Sequence, residues 1–166
     1  MDAWVQIAES LVDEHIRWHE NEGQPEQGGR RSRRGEAGSG QEFLEWHADY
    51  LKRYQQWRRA NGLAKISPWR RLPKRVLAGG AIPSQLNPPD LASYPSLDAL
   101  GMALESLAHA ILHAGVATPY SDPALGTFAS PLSISFWKLH GLIESWRRRW
   151  NEQQSMSLAR SFQVRA

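Results

Sequence analysis

Six histidines carry the chemistry that this sequence offers, and their spacing is the first thing to explain. His15 and His19 are four apart, and so are His109 and His113. On a helix, residues at i and i+4 lie one above the other, so both imidazoles of a pair can reach one ion. A single histidine follows each pair on the next helical segment, His47 after the first and His140 after the second. The pattern is HxxxH then H, twice. A lone buried histidine is ordinarily a hydrogen-bonded core residue. Burying six imidazoles without partners would cost roughly 1–3 kcal/mol each, and coordination removes that cost. The arrangement therefore reads as a metal site.

Imidazole suits zinc, copper, iron and nickel. Carboxylate-bridged di-iron bundles use an ExxH motif, which is absent, the nearest spacing being Glu105 to His109, ExxxH. A catalytic zinc site needs only three of the six ligands. Three neutral nitrogen ligands per ion, twice, favour two copper ions that bind O2 between them as peroxide, each giving one electron. A structural or zinc-binding bundle is the weaker alternative.

These ligands need helices to hold them. Apolar and aromatic residues recur at steps of three and four in four segments. The first covers about 3–20, through Trp4, Ile7, Leu11, His15 and Trp18, with Asp2 as cap and Gly23 past the end. The second covers about 42–60, through Phe43, His47, Tyr50, Tyr54 and Trp57, with Ser39 and Glu42 at capping-box spacing and a stop at Asn61-Gly62. The third covers about 97–114, with Leu100, Leu104, Leu107 and Ile111 on one stripe and Glu105, His109 and His113 beside it, capped by Ser96 and stopped by Gly115. The fourth covers about 131–153, with Ser130 as cap, Pro131 in the first turn, and Phe136, His140, Ile143 and Trp150 facing one way. No segment alternates as a strand does. The expected fold class is all-α, most simply a four-helix bundle with long irregular connections carrying a dinuclear copper centre.

With 166 residues, 41% hydrophobic and 22% charged, the chain suits one soluble domain, 1–154, followed by a weakly patterned tail, 155–166. Residues 21–41 are rich in Gly, Glu and Arg and read as a mobile surface loop. Arg30, Arg31, Arg33 and Arg34 within it read as solvated, because Glu26 and Glu36 flank them and no aromatic interleaves. Residues 61–95 hold six prolines but also Trp69, Leu72, Val76, Leu77 and Leu86, so they read as an ordered wrap. Within it, the GGAIPS stretch (79–84) reads as a plain loop that could also line an entrance. The Arg147–Arg149 run falls mostly on the solvent face of the fourth helix. Cysteine is absent, which excludes disulfides, thiolate nucleophiles and Cys-ligated zinc or iron–sulfur sites. The acidic first residues lack a basic signal-peptide start, and no apolar run is long enough to span a bilayer. A cytoplasmic location is the default expectation, with no nucleic acid and no membrane as partner.

Two aromatic-rich motifs extend the reading. "FLEWHADYLKRY" (43–54) resembles the tyrosinase stretch FLPWHRxYLxxFE, and "SPLSISFWKLHGLIESWRRRW" (130–150) resembles SPxDPIFWLHHxxIDRLWxxW. "LESLAHAILHAG" (104–115) is similar to LExxxHNxVHxxxG. The chain is thereby identified as a short member of the type 3, or coupled binuclear, copper proteins: tyrosinases, catechol oxidases and hemocyanins. The resemblance covers the four helices in the family's order. It implies that His15, His19 and His47 bind the first copper and that His109, His113 and His140 bind the second. It also offers Glu105 as the nearest candidate for the family's water-holding carboxylate, though the family's usually lies further upstream.

The departures shape the expected activity. Ala48 stands where the family has Arg, Ala110 where it has Asn, Glu144 where it has Asp, Leu139 replaces the first histidine of the HH pair, and Ser133-Ile134 replaces DP. With no secure base near the site, monophenol hydroxylation is expected to be weak or absent. The expected function is a copper-dependent oxidase that uses O2 to convert o-diphenols or o-aminophenols to quinone-type products. The alternative is a hemocyanin-like reversible O2-binding protein with little turnover. O2 and a small phenolic substrate are the implied partners, with a copper-loading protein as a further one. Trp18, Trp46 and Trp137 would pack around the site, and Phe136 or another aromatic would shield the second copper.

Overall fold

The structure, a computed structural model, describes residues 4–26, 29–77, 89–110 and 123–163. Among the described residues it is all-α apart from one minimal hairpin. In chain order the elements are α1 (Glu9–Glu20), β1 (Pro25–Glu26), β2 (Gly29–Arg30), α2 (Ser39–Ala60), a single helical turn α3 (Lys74–Leu77), α4 (Leu97–Ala110) and α5 (Ile134–Gln163). Short 3-10 turns at Leu91–Ser93, Pro123–Gly126 and Ser130–Leu132 lie between them. β1 and β2 pair antiparallel, Pro25 opposite Arg30. The core is the shared interior of α2, α4 and α5, where Tyr50, Tyr54, Leu100, Leu104, Leu107, Phe136, Trp137 and Trp146 are almost fully buried.

α2 and α4 meet backbone to backbone. Gly40 of α2 lies on Gly101 of α4 so closely that a Cβ on either would collide with the main chain of the other helix. The same crossing supplies the start of α2. The Asp98 carboxylate, on the first turn of α4, accepts the N–H groups of Gly38 (3.0 Å), Gly40 (2.9 Å) and Gln41 (3.2 Å). Those are donors that a helix N-terminus leaves unpaired, and an anion there also suits the helix dipole. α2 therefore starts at Ser39, three residues earlier than the periodicity suggests, with Gly38 as its cap in the left-handed region (φ 91°). The expected capping box does not form. Ser39 Oγ accepts Gly35 N–H (3.1 Å), and Glu42 is taken by the N–H (3.0 Å) and hydroxyl (2.8 Å) of Ser32.

The first helix is shorter than its stripe predicts. Residues 4–8 are non-helical. Val5 N–H donates to Leu132 O (2.9 Å), Trp4 bridges Ser133, and Tyr54 donates its hydroxyl to Gln6 O (3.1 Å). With its backbone engaged outside a helix, Trp4 remains 55% exposed. Asp2, expected as the cap, lies outside the described residues; Ala8 holds the cap position. Tyr50 donates to Leu11 O (2.7 Å), so both α2 tyrosines fasten the N-terminal segment to the core.

α5 opens after Ser133, whose hydroxyl accepts Ser135 N–H (3.1 Å), while Ser130 and Pro131 form the preceding 3-10 turn rather than the first turn of the helix. It runs to Gln163, through much of the expected tail, because no Pro or Gly interrupts the chain after Gly141. Ser96 caps α4 as expected, accepting Ala99 N–H (3.1 Å). Of the 61–95 wrap, Leu72 and Val76 are buried, while GGAIPS and Leu86 lie outside the described residues.

Adding a methyl group at the crossing tests this packing. Gly101→Ala is expected to lower unfolding stability by roughly 2–3 kcal/mol, and Asp98→Ala by about 1–2 kcal/mol through the lost cap. Urea denaturation followed by circular dichroism reads both.

Candidate metal centre

α1, α2 and α5 bring four of the six histidines together. His15 and His19 stand one turn apart on α1, and His47 approaches from α2, its ring centroid 5.8 Å from that of His15 and 6.2 Å from that of His19. One nitrogen from each of these three lies within 4.8 Å of the others. His140 of α5 stacks on His47, centroids 4.7 Å apart and planes 16° from parallel. His15, His47 and His140 are buried; His19 is partly so. His109 lies on α4, one turn beyond Glu105, and nothing is described of its side chain; His113 lies outside the described residues. The described part of the expected second triad is therefore His140 alone.

Each buried ring is held the same way. His15 Nδ1 donates to Phe128 O (2.7 Å), His47 Nδ1 to Phe43 O (2.9 Å) and His140 Nδ1 to Phe136 O (3.0 Å). A carbonyl only accepts, so the proton sits on Nδ1 and the Nε2 lone pair is free to bind. For His47 and His140 the carbonyl belongs to the residue four before, a bond that any straight helix can offer. His15 instead reaches across the fold.

The ligand atoms fit a cation. His47 Nε2 is buried and has no hydrogen-bond partner. His15 and His19 direct their Nε2 atoms at each other, 3.2 Å apart. Nitrogens sharing one ion at about 2.0–2.1 Å sit roughly 3.3–3.6 Å from each other, so the third donor needs only a small approach. With the His15 proton on Nδ1, the His15–His19 contact is a hydrogen bond from His19 Nε2–H to His15 Nε2, and the orphaned His47 lone pair beside it suits an electron-pair acceptor that would replace the shared proton.

Burial keeps the rings neutral. Lost solvation lowers His15 to about 3 and His140 to about 4, in each case against the pull of the Nδ1–carbonyl bond, and holds His47 well below 6.5. Neighbouring imidazoles deepen the effect on His15 and His47. Aromatic rings supply the dry wall. Phe136 lies 4.0 Å from His140 and 5.0 Å from His15, and Trp18 is 4.8 Å from both His19 and His47. Trp18 continues into a stack with Trp46 (4.6 Å) and Tyr50 (4.7 Å from Trp46). Trp137 packs at 3.6 Å on Tyr54 and donates to Pro131 O, a core role one layer away.

The histidines line a cavity of about 30 Å³ that Glu105 and Phe128 also line. Glu105 is 5% exposed, with one oxygen 3.9 Å from Arg34 Nε and the other unpaired. Burial pushes its carboxyl up to about 7, the Arg34 charge opposing. It can hold a proton at neutral pH beside the donor nitrogens. Phe128, which no sequence pattern singles out, lies flat on His19, centroids 4.7 Å apart and planes 2° from parallel. Its signal is purely tertiary.

The arginine cluster is not simply solvated. Arg31 is buried, its guanidinium 3.4 Å above the Trp18 ring and 3.6 Å from Glu22, because the indole face and a carboxylate replace water there.

The titration of these groups sets an acid limit on stability. Unfolded histidines take protons near pH 6.5, while the folded ones resist until about pH 4 or lower, so stability falls as pH drops through that window. Glu105 acts oppositely, since its folded form holds a proton between 4.5 and about 7. Three histidines against one glutamate leave a net loss of at most about 3 kcal/mol per pH unit on acidification. Denaturation of the metal-free protein at a series of pH values is expected to show this slope, and His140→Leu to reduce it by about one proton's worth. Comparisons with protein-family models, with curated proteins and with solved structures found no match, so the functional reading rests on this geometry.

Proposed function

We propose that the chain is a small dicopper protein of the type 3 class, its four long helices forming the bundle around the centre, and that it oxidises o-diphenols or o-aminophenols with O2. The observation that carries the reading is the convergence of one ring nitrogen from each of His15, His19 and His47 within 4.8 Å of one another, with a fourth imidazole stacked against His47. In this reading His15, His19 and His47 hold one ion, and His140, with His109 and His113, holds the other. When bound, copper would supply the two-electron redox chemistry by which an o-diphenol becomes a quinone while O2 takes up the two electrons and two protons as hydrogen peroxide.

The chain's own part is positional and protic. The Nδ1–carbonyl bonds fix each imidazole in the tautomer that binds through Nε2. Phe136, Phe43 and Trp18 keep water from the ligand nitrogens. Glu105, about half ionised near pH 7, takes a proton from a donor hydroxyl in its ionised form and gives it up to the reduced oxygen in its protonated form. Arg34 limits how far the Glu105 carboxyl rises.

A second reading, reversible O2 binding with little turnover, is favoured by one observation. The cavity of about 30 Å³ suits a molecule the size of water or O2, whereas organic ligands fill pockets of about 300 Å³ or more. Phe128 bears on both readings, since its ring covers His19.

Copper loading followed by elemental analysis is expected to give two ions per chain, with a near-ultraviolet absorption band on adding O2. Catechol turnover without monophenol turnover supports the oxidase. The band without quinone formation supports carriage. Zinc, or less than one copper per chain, defeats both. Phe128→Ala is expected to raise catechol turnover severalfold while leaving copper content unchanged, and His47→Ala to abolish the band.

A further inference from the structure

A second hollow lies on another face of α2, away from His47. It is a groove of about 370 Å³ between α2, the extended segment around 63–69, and α5. Its floor is apolar, with Leu51, Ile66 and the buried Trp137. Its rim carries Lys52, Arg59, Lys65 and Arg148 against a single carboxylate, Glu144.

That carboxylate is already committed. Both Glu144 oxygens accept from Arg147, at 2.6 and 2.9 Å, and one accepts from Arg148 at 2.9 Å. The α2 acids face elsewhere: Asp49 binds Arg53 (2.7 Å), and Glu45 accepts from Gln41 (2.8 Å). Among the described residues, Lys52, Arg59 and Lys65 have no carboxylate within ion-pair distance. Three unbalanced cations drawn from two chain segments thus surround one apolar floor.

The groove is preformed. Trp69 N–H donates to Lys138 O (3.1 Å), Arg58 Nε to Ala64 O (2.8 Å) and Gln55 Nε2 to Ile66 O (3.3 Å), which pins the 63–69 segment to both helices. Gly141 lets this segment lie close to α5, since a Cβ there would come within 2.7 Å of Pro68. A ligand therefore meets walls already in place, with little ordering cost.

We propose that this groove binds a small organic carboxylate with a flat apolar body of one or two rings. The rings lie on the floor beside Trp137 and Ile66, and the carboxylate turns to Lys52, Arg59 and Lys65. The volume suits such a ligand, and both halves of its chemistry are required, the apolar area for affinity and the cations for choice. This proposal is independent of whether the histidines hold copper.

The test is calorimetric titration of the full chain with 2-naphthoate, with its neutral alcohol analogue 2-naphthylmethanol and with acetate. Naphthoate is expected to bind with a Kd below about 1 mM, and the two partial ligands at least about tenfold more weakly. Lys52→Glu with Arg59→Glu is expected to weaken naphthoate about tenfold or more, with helix content unchanged by circular dichroism. Ala48→Phe, which fills the groove without altering charge, is expected to abolish binding. His47→Ala is expected to leave binding unchanged. Equal binding of the neutral analogue, indifference to the charge reversals, loss of binding in His47→Ala, or no heat at about 10 mM naphthoate would each overturn the proposal.

Discussion

A histidine placed in a dry interior must spend its ring N–H somewhere, and where it spends it decides which nitrogen remains. His47 and His140 give the Nδ1 proton to the carbonyl one turn back in their own helices, and His15 gives it to Phe128 O across the fold. Each ring is then clamped in orientation and left with a bare Nε2. Everything else at the centre follows from that constraint. These rings stay neutral because they are buried, His15, His19 and His47 bring one nitrogen each to a common point, and of the Nε2 atoms it is that of His47 that is buried without a partner, that of His15 meeting His19.

The helix crossing has a non-local cause. Gly40 and Gly101 let α2 and α4 touch at the backbone, and Asp98 reaches from α4 to cap α2. The position of His47 relative to α4 therefore depends on two glycines and one carboxylate that carry no chemistry of their own. None of the three contributes to a hydrophobic stripe.

What could be read from the sequence divides along the same line. Four-residue spacing placed His15 beneath His19, and the stripes of the second and fourth helices pointed His47 and His140 inward, because these follow from helix geometry alone. Ser96 as a cap was equally local. The start of the first helix differs from its stripe, because Trp4 and Ile7 match a helical period while the Val5 N–H bond to Leu132 O and the Tyr54 hydroxyl bond to Gln6 O hold that stretch outside the helix. The Ser39–Glu42 capping box was misjudged because competing partners, Ser32 and Asp98, arrive from elsewhere in the chain. The same holds for Arg31, whose burial against Trp18 no local pattern announces. The tail read as weakly patterned becomes the end of α5, since a helix already begun needs a breaker to stop and meets none. Glu105 is visible as a candidate, but its place in the histidine cavity and its raised proton affinity depend on burial, which outweighs the opposing Arg34 charge.

Phe128 holds two posts at once. Its carbonyl steadies His15, and its ring covers His19. A shift of the main chain there would untie one ligand while uncovering the other, whereas turning the side chain about its own bonds leaves the carbonyl where it is. Any doorway at this point must swing on the side chain alone, with the doorpost fixed, so admission of a guest and alignment of the donor behind it are kept as separate motions.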